Sequence, residues 1–121
     1  LKMIHKFRDL FVWQKSIAFV KEIYRITTKY PKSELFGLTS QIQRAAVSMP
    51  TNIAEGCGRN SNKELSRFID IAIGSAFELE TLLQISFELN YIEELEYNTL
   101  MKDLYEIQKM LYDLQKTLNK M

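Results

Sequence analysis

The chain predicts an all-α fold of four amphipathic helices, and three observations carry that expectation. Apolar residues recur at helical spacing in four separate segments. Gly (4) and Pro (2) are too scarce in 121 residues for the closely spaced turns of a sandwich. The last segment keeps an alternating four- and three-residue apolar repeat, the spacing of bundle or coiled-coil packing. At this length one domain, spanning 1–121, and one core are expected, burying roughly two-thirds of the surface the unfolded chain exposes.

The first helix is expected from about Asp9 to Lys29. Val12, Phe19, Ile23, Ile26 and Tyr30 form one apolar row, and Trp13, Ile17, Val20 and Tyr24 form a second beside it. Two rows exceed the single stripe of a peripheral helix, so one fits the core, and the other fits either a second chain or deeper burial within one chain. Lys21, Arg25 and Lys29 stand four residues apart on the polar side, where like charges repel by a few tenths of a kcal/mol per pair and call for a partner or for solvent. Tyr30-Pro31 ends the helix, because proline disfavours helical geometry in the residue before it.

The second helix is expected from Leu38 to Ala54 or Glu55, kinked at Pro50 by the missing N–H. At about 100° per residue, Gln41, Arg44, Ser48, Asn52 and Glu55 share one stripe roughly 80° wide. Leu38, Ile42, Ala45, Ala46, Met49 and Ile53 flank it on one side, with Val47, Pro50 and Ala54 on the other. Polar groups between apolar strips are economical only if they bond one another, so a side-chain network is expected. Glu55 faces the negative end of its helix dipole and needs a cation, for which Arg59 and Arg67 are the candidates. A structural latch between the second and third helices is the favoured reading over a ligand contact.

Gly56-Cys57-Gly58 supplies the freedom for a turn. Asn60 or Ser61 caps the third helix, with Ser61-Asn62-Lys63-Glu64 matching a capping box, and the helix runs to about Leu89. Arg59, Lys63 and Arg67 gather at its start, where exposed N–H groups also favour anions, and form the first choice for a phosphate contact. Leu65, Phe68, Ala72, Ala76, Leu79 and Leu83, with Ile69 alongside, make its core row. Ala72, Gly74, Ser75 and Ala76 are expected to let another helix approach closely, and Ile73 and Phe77 to face a second subunit. After Asn90 the fourth helix is expected from Glu93 to Asn119, with core row Leu100, Leu104, Ile107, Leu111, Leu114 and Leu118. A second row, Tyr97, Met101, Tyr105 and Tyr112, again exceeds what one seam consumes, which favours an oligomer.

Net charge is +1, yet residues 1–35 carry eight Lys/Arg against three Asp/Glu, residues 36–67 four against two, and residues 68–121 four against ten. Basic and acidic halves can neutralise each other inside one subunit, join subunits head to tail, or leave a basic face for an anionic polymer. One cysteine, Cys57, and one histidine, His5, cannot build a disulfide framework or a zinc site within a chain, and a reducing compartment fits. No apolar run approaches the roughly 20 residues of a membrane span, and no signal segment is evident, so a cytoplasmic protein without membrane contact is expected, with Met3 as its start. Cys57 has no nearby base, Glu78 and Glu80 point in different directions, and no metal-ligand cluster is visible. No catalytic residue, metal or cofactor is expected, and the protein is read as not an enzyme.

The residues already quoted carry a resemblance. Phe7, Asp9-Leu10, Val12-Trp13, Tyr30-Pro31 with Glu34, Phe36-Gly37-Leu38, Gln41, Arg44-Ala45, Ser48 and Asn52-Ile53-Ala54-Glu55-Gly56, then Arg59, Phe68, Ala72, Gly74-Ser75, Glu78 and Glu80, span almost the whole chain. With them the sequence resembles the four-helix-bundle proteins encoded in intervening sequences of bacterial large-subunit (23S) ribosomal RNA genes. It departs at Gln43, where members often carry a second basic residue. The resemblance implies an up-and-down, left-handed antiparallel bundle assembled as a ring-like homopentamer. The accessory variability determinant of diversity-generating retroelements is similar in fold, a basic pentameric barrel that binds nucleic acid and a reverse transcriptase.

Two functions follow as expectations. The first is an oligomer that binds RNA or DNA through Arg44, Arg59, Lys63, Arg67 and the first-helix cations Lys21, Arg25 and Lys29. The second is a scaffold that binds an acidic protein partner without a nucleic-acid role.

Overall fold

Each apolar row becomes the inner face of a helix. The computed structural model describes residues 6–120; His5 and Met3 lie outside them. A 3-10 turn, Phe7–Asp9, precedes α1, Phe11–Thr27, and a second, Lys32–Glu34, precedes α2, Leu38–Cys57. The longer helices α3, Asn62–Glu88, and α4, Glu94–Asn119, follow, with no strand among the described residues. α1 is shorter than the sequence suggests at both ends: Leu10 is extended, and backbone bonds from Lys29 to Ile26 and Tyr30 to Thr27 tighten its exit before Pro31. α2 runs unbroken through Pro50 and on past Glu55 to Cys57.

Short connections make sequence neighbours pack as pairs, and α1 also meets α4, so among the described residues the four helices close a ring in which backbones approach between neighbours rather than across the diagonals. Cross-helix bonds fix their sense. From α4 to α3, Gln108 reaches Glu80, Gln115 reaches Asp70 and Asn119 accepts from Ser66, the partner number falling as the donor helix advances. On the other side Arg25 meets Glu96 and Lys15 meets Glu106, again antiparallel.

The core combines Val12, Phe19, Ile23 and Ile26 of α1, Ile42, Ala46, Met49 and Ile53 of α2, Leu65, Ile69, Ala76, Leu79 and Leu83 of α3, and Leu104, Ile107 and Leu111 of α4. Burial of these faces, at about 25 cal/mol per Å² of apolar surface, drives the assembly of the bundle. Ile73, read as facing a second subunit, is only 7% exposed and belongs to this core. A helix packed on two sides needs a wide apolar arc, and Ile73 falls within it. Phe77 does stand outside, at 45% exposure.

The glycines act differently from their sequence reading. None of those described has a positive φ; Asn90, ending α3, is the residue that takes the left-handed conformation, at φ 64°. Gly56 lies inside the last turn of α2, where a β-carbon would come within 2.7 Å of Leu65 Cδ1 and 2.8 Å of Phe68 Cβ. The close approach of α2 and α3 therefore depends on Gly56. Gly74 faces open space.

Candidate functional site

The α2 stripe divides in two. Where α2 crosses α3, Ser48 Oγ lies 2.7 Å from Ser75 Oγ, and Asn52 Nδ2 donates to Ser48 O at 2.8 Å and to Ser48 Oγ at 2.9 Å. These three side chains tie the helices together at half-buried and buried positions, satisfying one another's polar groups. Gln41, Arg44 and Glu55 are exposed and make no side-chain hydrogen bond or ion pair. Gln41 and Arg44 instead edge a groove of about 420 Å³ between α2 and α3, floored by Ser48 and Ser75 and faced by Glu78. The expected five-residue network is thus a three-residue clasp of Ser48, Asn52 and Ser75. The division follows position along α2 rather than angle around it: Gln41 lies between Ser48 and Asn52 in angle, but only Ser48 and Asn52 sit at the level where α2 crosses Ser75.

Among the described residues of the subunit, Glu55 pairs with neither candidate arginine. Arg67 pairs with Glu64 across one turn of α3, its Nη2 3.3 Å from Glu64 Oε1 and its Nε 3.3 Å from Oε2. Arg59 sets its guanidinium 4.7 Å from the centroid of the Phe68 ring, and the Arg67 guanidinium lies 5.0 Å from the same centroid. Phe68 is 6% exposed, so it supports both groups from beneath. Ser61 caps α3 as the box predicts, accepting from Glu64 N at 3.2 Å. Lys63, in the first turn, is exposed and without an ion pair. Glu64 is held below its ordinary value, first by its bond to Arg67 and then by the fields of Arg67, Arg59 and Lys63. One corner of the bundle thus gathers three cations around Glu64.

The α1 cations separate. Arg25 bonds Glu22 at 2.9 Å and Glu96 of α4 at 2.6 Å, which raises its already high pKa further. Lys15 bonds Glu106 at 2.8 Å, which lowers that carboxyl. Much of the opposition between the basic and acidic halves is therefore met inside the subunit, along the α1–α4 seam. Lys21 and Lys29 are exposed and make no ion pair. Gln43, the departure from the basic pattern, donates to Thr27 Oγ1 at 3.1 Å and joins α2 to α1.

Sequence reasoning missed two participants. Ser75 was grouped with small residues that allow close approach, although its register opposite Ser48 makes it a bonding partner. Phe68 was read as core alone; its place beside Arg67 was the available signal. Cys57 is buried and in no disulfide, and among the described residues no group of three acidic, histidine or cysteine side chains could hold a metal ion. No described helix is long and apolar enough to cross a membrane.

Closed packing of four antiparallel helices, with polar clasps between them and a cationic corner outside, defines an all-α four-helix-bundle protein. A family model for the 23S rRNA-intervening sequence protein matches residues 8–113, and the chain belongs to that family. It is similar to a protein of unknown function from the S23 ribosomal protein family of Bacteroides thetaiotaomicron VPI-5482. That crystal structure aligns with a TM-score of 0.80 at 27% identity, over 87% of this chain and 95% of the other. No curated protein matches the chain.

Proposed function

We propose that the protein is a non-enzymatic, cytoplasmic homo-oligomer, a pentamer by family resemblance, that binds RNA or DNA through basic patches repeated around a ring. The observation that supports this reading is the corner where Arg59, Lys63 and Arg67 stand together beside Glu64. Arg44 and the unpaired Lys21 and Lys29 offer further phosphate contacts, whereas Arg25 is already occupied by Glu22 and Glu96. A net charge of +1 puts the whole affinity on such focused patches.

Three phosphate contacts per subunit give a salt slope of about −2.7 for duplex DNA, or roughly a fortyfold loss of affinity between 50 and 200 mM salt. Fluorescence anisotropy with labelled RNA and DNA measures it. Arg59→Glu with Lys63→Glu is expected to weaken binding further, and absent or salt-insensitive binding refutes the reading.

The alternative, a scaffold for an acidic protein partner, draws on the exposed apolar side chains Ile17 and Tyr24 of α1 and Tyr105 and Tyr112 of α4. Those same rows also suit contact between copies. Size exclusion with light scattering, read at protein and nucleic-acid wavelengths, reports subunit number and carried nucleic acid together, and a complex that survives nuclease favours the scaffold.

A further inference from the structure

We infer that the Arg59–Phe68–Arg67 stack is a platform for an unpaired base, so that the nucleic acid taken at this corner is single-stranded; the inference rests on the nucleic-acid reading above. Three features of the corner lead there. Phe68 is buried while Arg59 and Arg67 are exposed, so each guanidinium lies between the ring and solvent. A guanidinium resting on a ring is held as a flat cation, and planar groups of this kind stack on nucleobases. Glu64 takes two bonds along one edge of Arg67, at Nε and Nη2, which restrains the guanidinium and leaves its Nη1–Nη2 end for a phosphate and its outer face for a flat group. Arg67 thus offers a face as well as an end.

A duplex hides base faces inside its own stack, so only an unpaired base can use that surface. Lys63, one turn before Arg67 and without an ion pair, is placed to meet the phosphate of the same nucleotide. The division of labour is then a point charge for the backbone and two supported planes for the base.

The test compares a short single-stranded RNA carrying 2-aminopurine with the same strand annealed to its complement, at one salt concentration. The single strand is expected to bind about tenfold more tightly than the duplex, with a change in 2-aminopurine fluorescence on binding. The double variant Arg59→Lys, Arg67→Lys keeps the charge and removes the planes. It is expected to lose that preference and the fluorescence change, the single strand falling to the affinity of the duplex. Equal binding of strand and duplex, unaffected by the lysine substitutions, overturns the stacking inference and leaves nucleic-acid binding standing. Absence of binding to either at low salt overturns both.

Discussion

Replacing Gly56 and Gly74 by alanine, one at a time, is expected to shift stability in opposite directions. In an open helix interior the substitution gains about 1 kcal/mol, since glycine surrenders more backbone freedom on folding. Gly74 meets that condition: it is exposed in mid-α3, and an added β-carbon finds nothing within 4 Å. At Gly56 the same carbon would sit 2.7 Å from Leu65 Cδ1 and 2.8 Å from Phe68 Cβ, about 1 Å inside the comfortable carbon–carbon separation. Leu65 could rotate its methyl away. The Phe68 contact is to a β-carbon, which is fixed to the backbone, so relief requires α3 to move off α2. Overpacking of this kind costs about 1–3 kcal/mol, enough to outweigh the helix gain and leave a loss of about 1–2 kcal/mol. Urea unfolding followed by circular dichroism, at one protein concentration, reads both variants, with a thermal midpoint shift of about 4 °C per kcal/mol as a second measure. A neutral or stabilised Gly56→Ala, or a destabilised Gly74→Ala, refutes the argument from α2–α3 proximity.

Further expectations concern the seams. Ser48→Ala and Ser75→Ala should each cost about 1 kcal/mol in urea unfolding, and the double variant less than their sum, because one bond is shared; full additivity contradicts the clasp. Arg25→Met should cost less than about 1 kcal/mol, and the difference should fade in high salt, as expected of an exposed ion pair. The Tyr30 hydroxyl is buried, and burial pushes its pKa above the ordinary 10.0, offset in part by the Ser86 hydroxyl and reinforced by Glu96 and Tyr91. The unfolded chain therefore loses this proton first as pH rises, so the contribution is complete below about pH 10 and disappears as pH climbs through the folded value. Tyr30→Phe should leave neutral-pH stability within about 1 kcal/mol and flatten the alkaline decline in unfolding midpoint; a decline as steep as before would show the phenol is not the source.

Four helices, their order and their inner rows were legible in the sequence because helical periodicity is a local property, and each row repeats often enough to exclude a strand. The Ser61 cap was equally legible, since its two partners are three residues apart. The fate of the polar stripe was not. Gln41, Arg44, Ser48, Asn52 and Glu55 share a face by spacing alone, but which level of that face meets α3 depends on the approach of two helices that the sequence places only loosely. Hence Ser48 and Asn52 are clasped while Glu55 lies in solvent. Charge behaved similarly: composition revealed opposed halves, and only antiparallel packing brought Arg25 to Glu96 and Lys15 to Glu106. By itself the sequence determined a four-helix chain, its core and its family likeness. The tertiary structure decided that Gly56, rather than Gly74, allows the close contact, and that Arg59, from the turn before α3, also rests on Phe68, because both depend on how separate elements come together rather than on spacing along one helix.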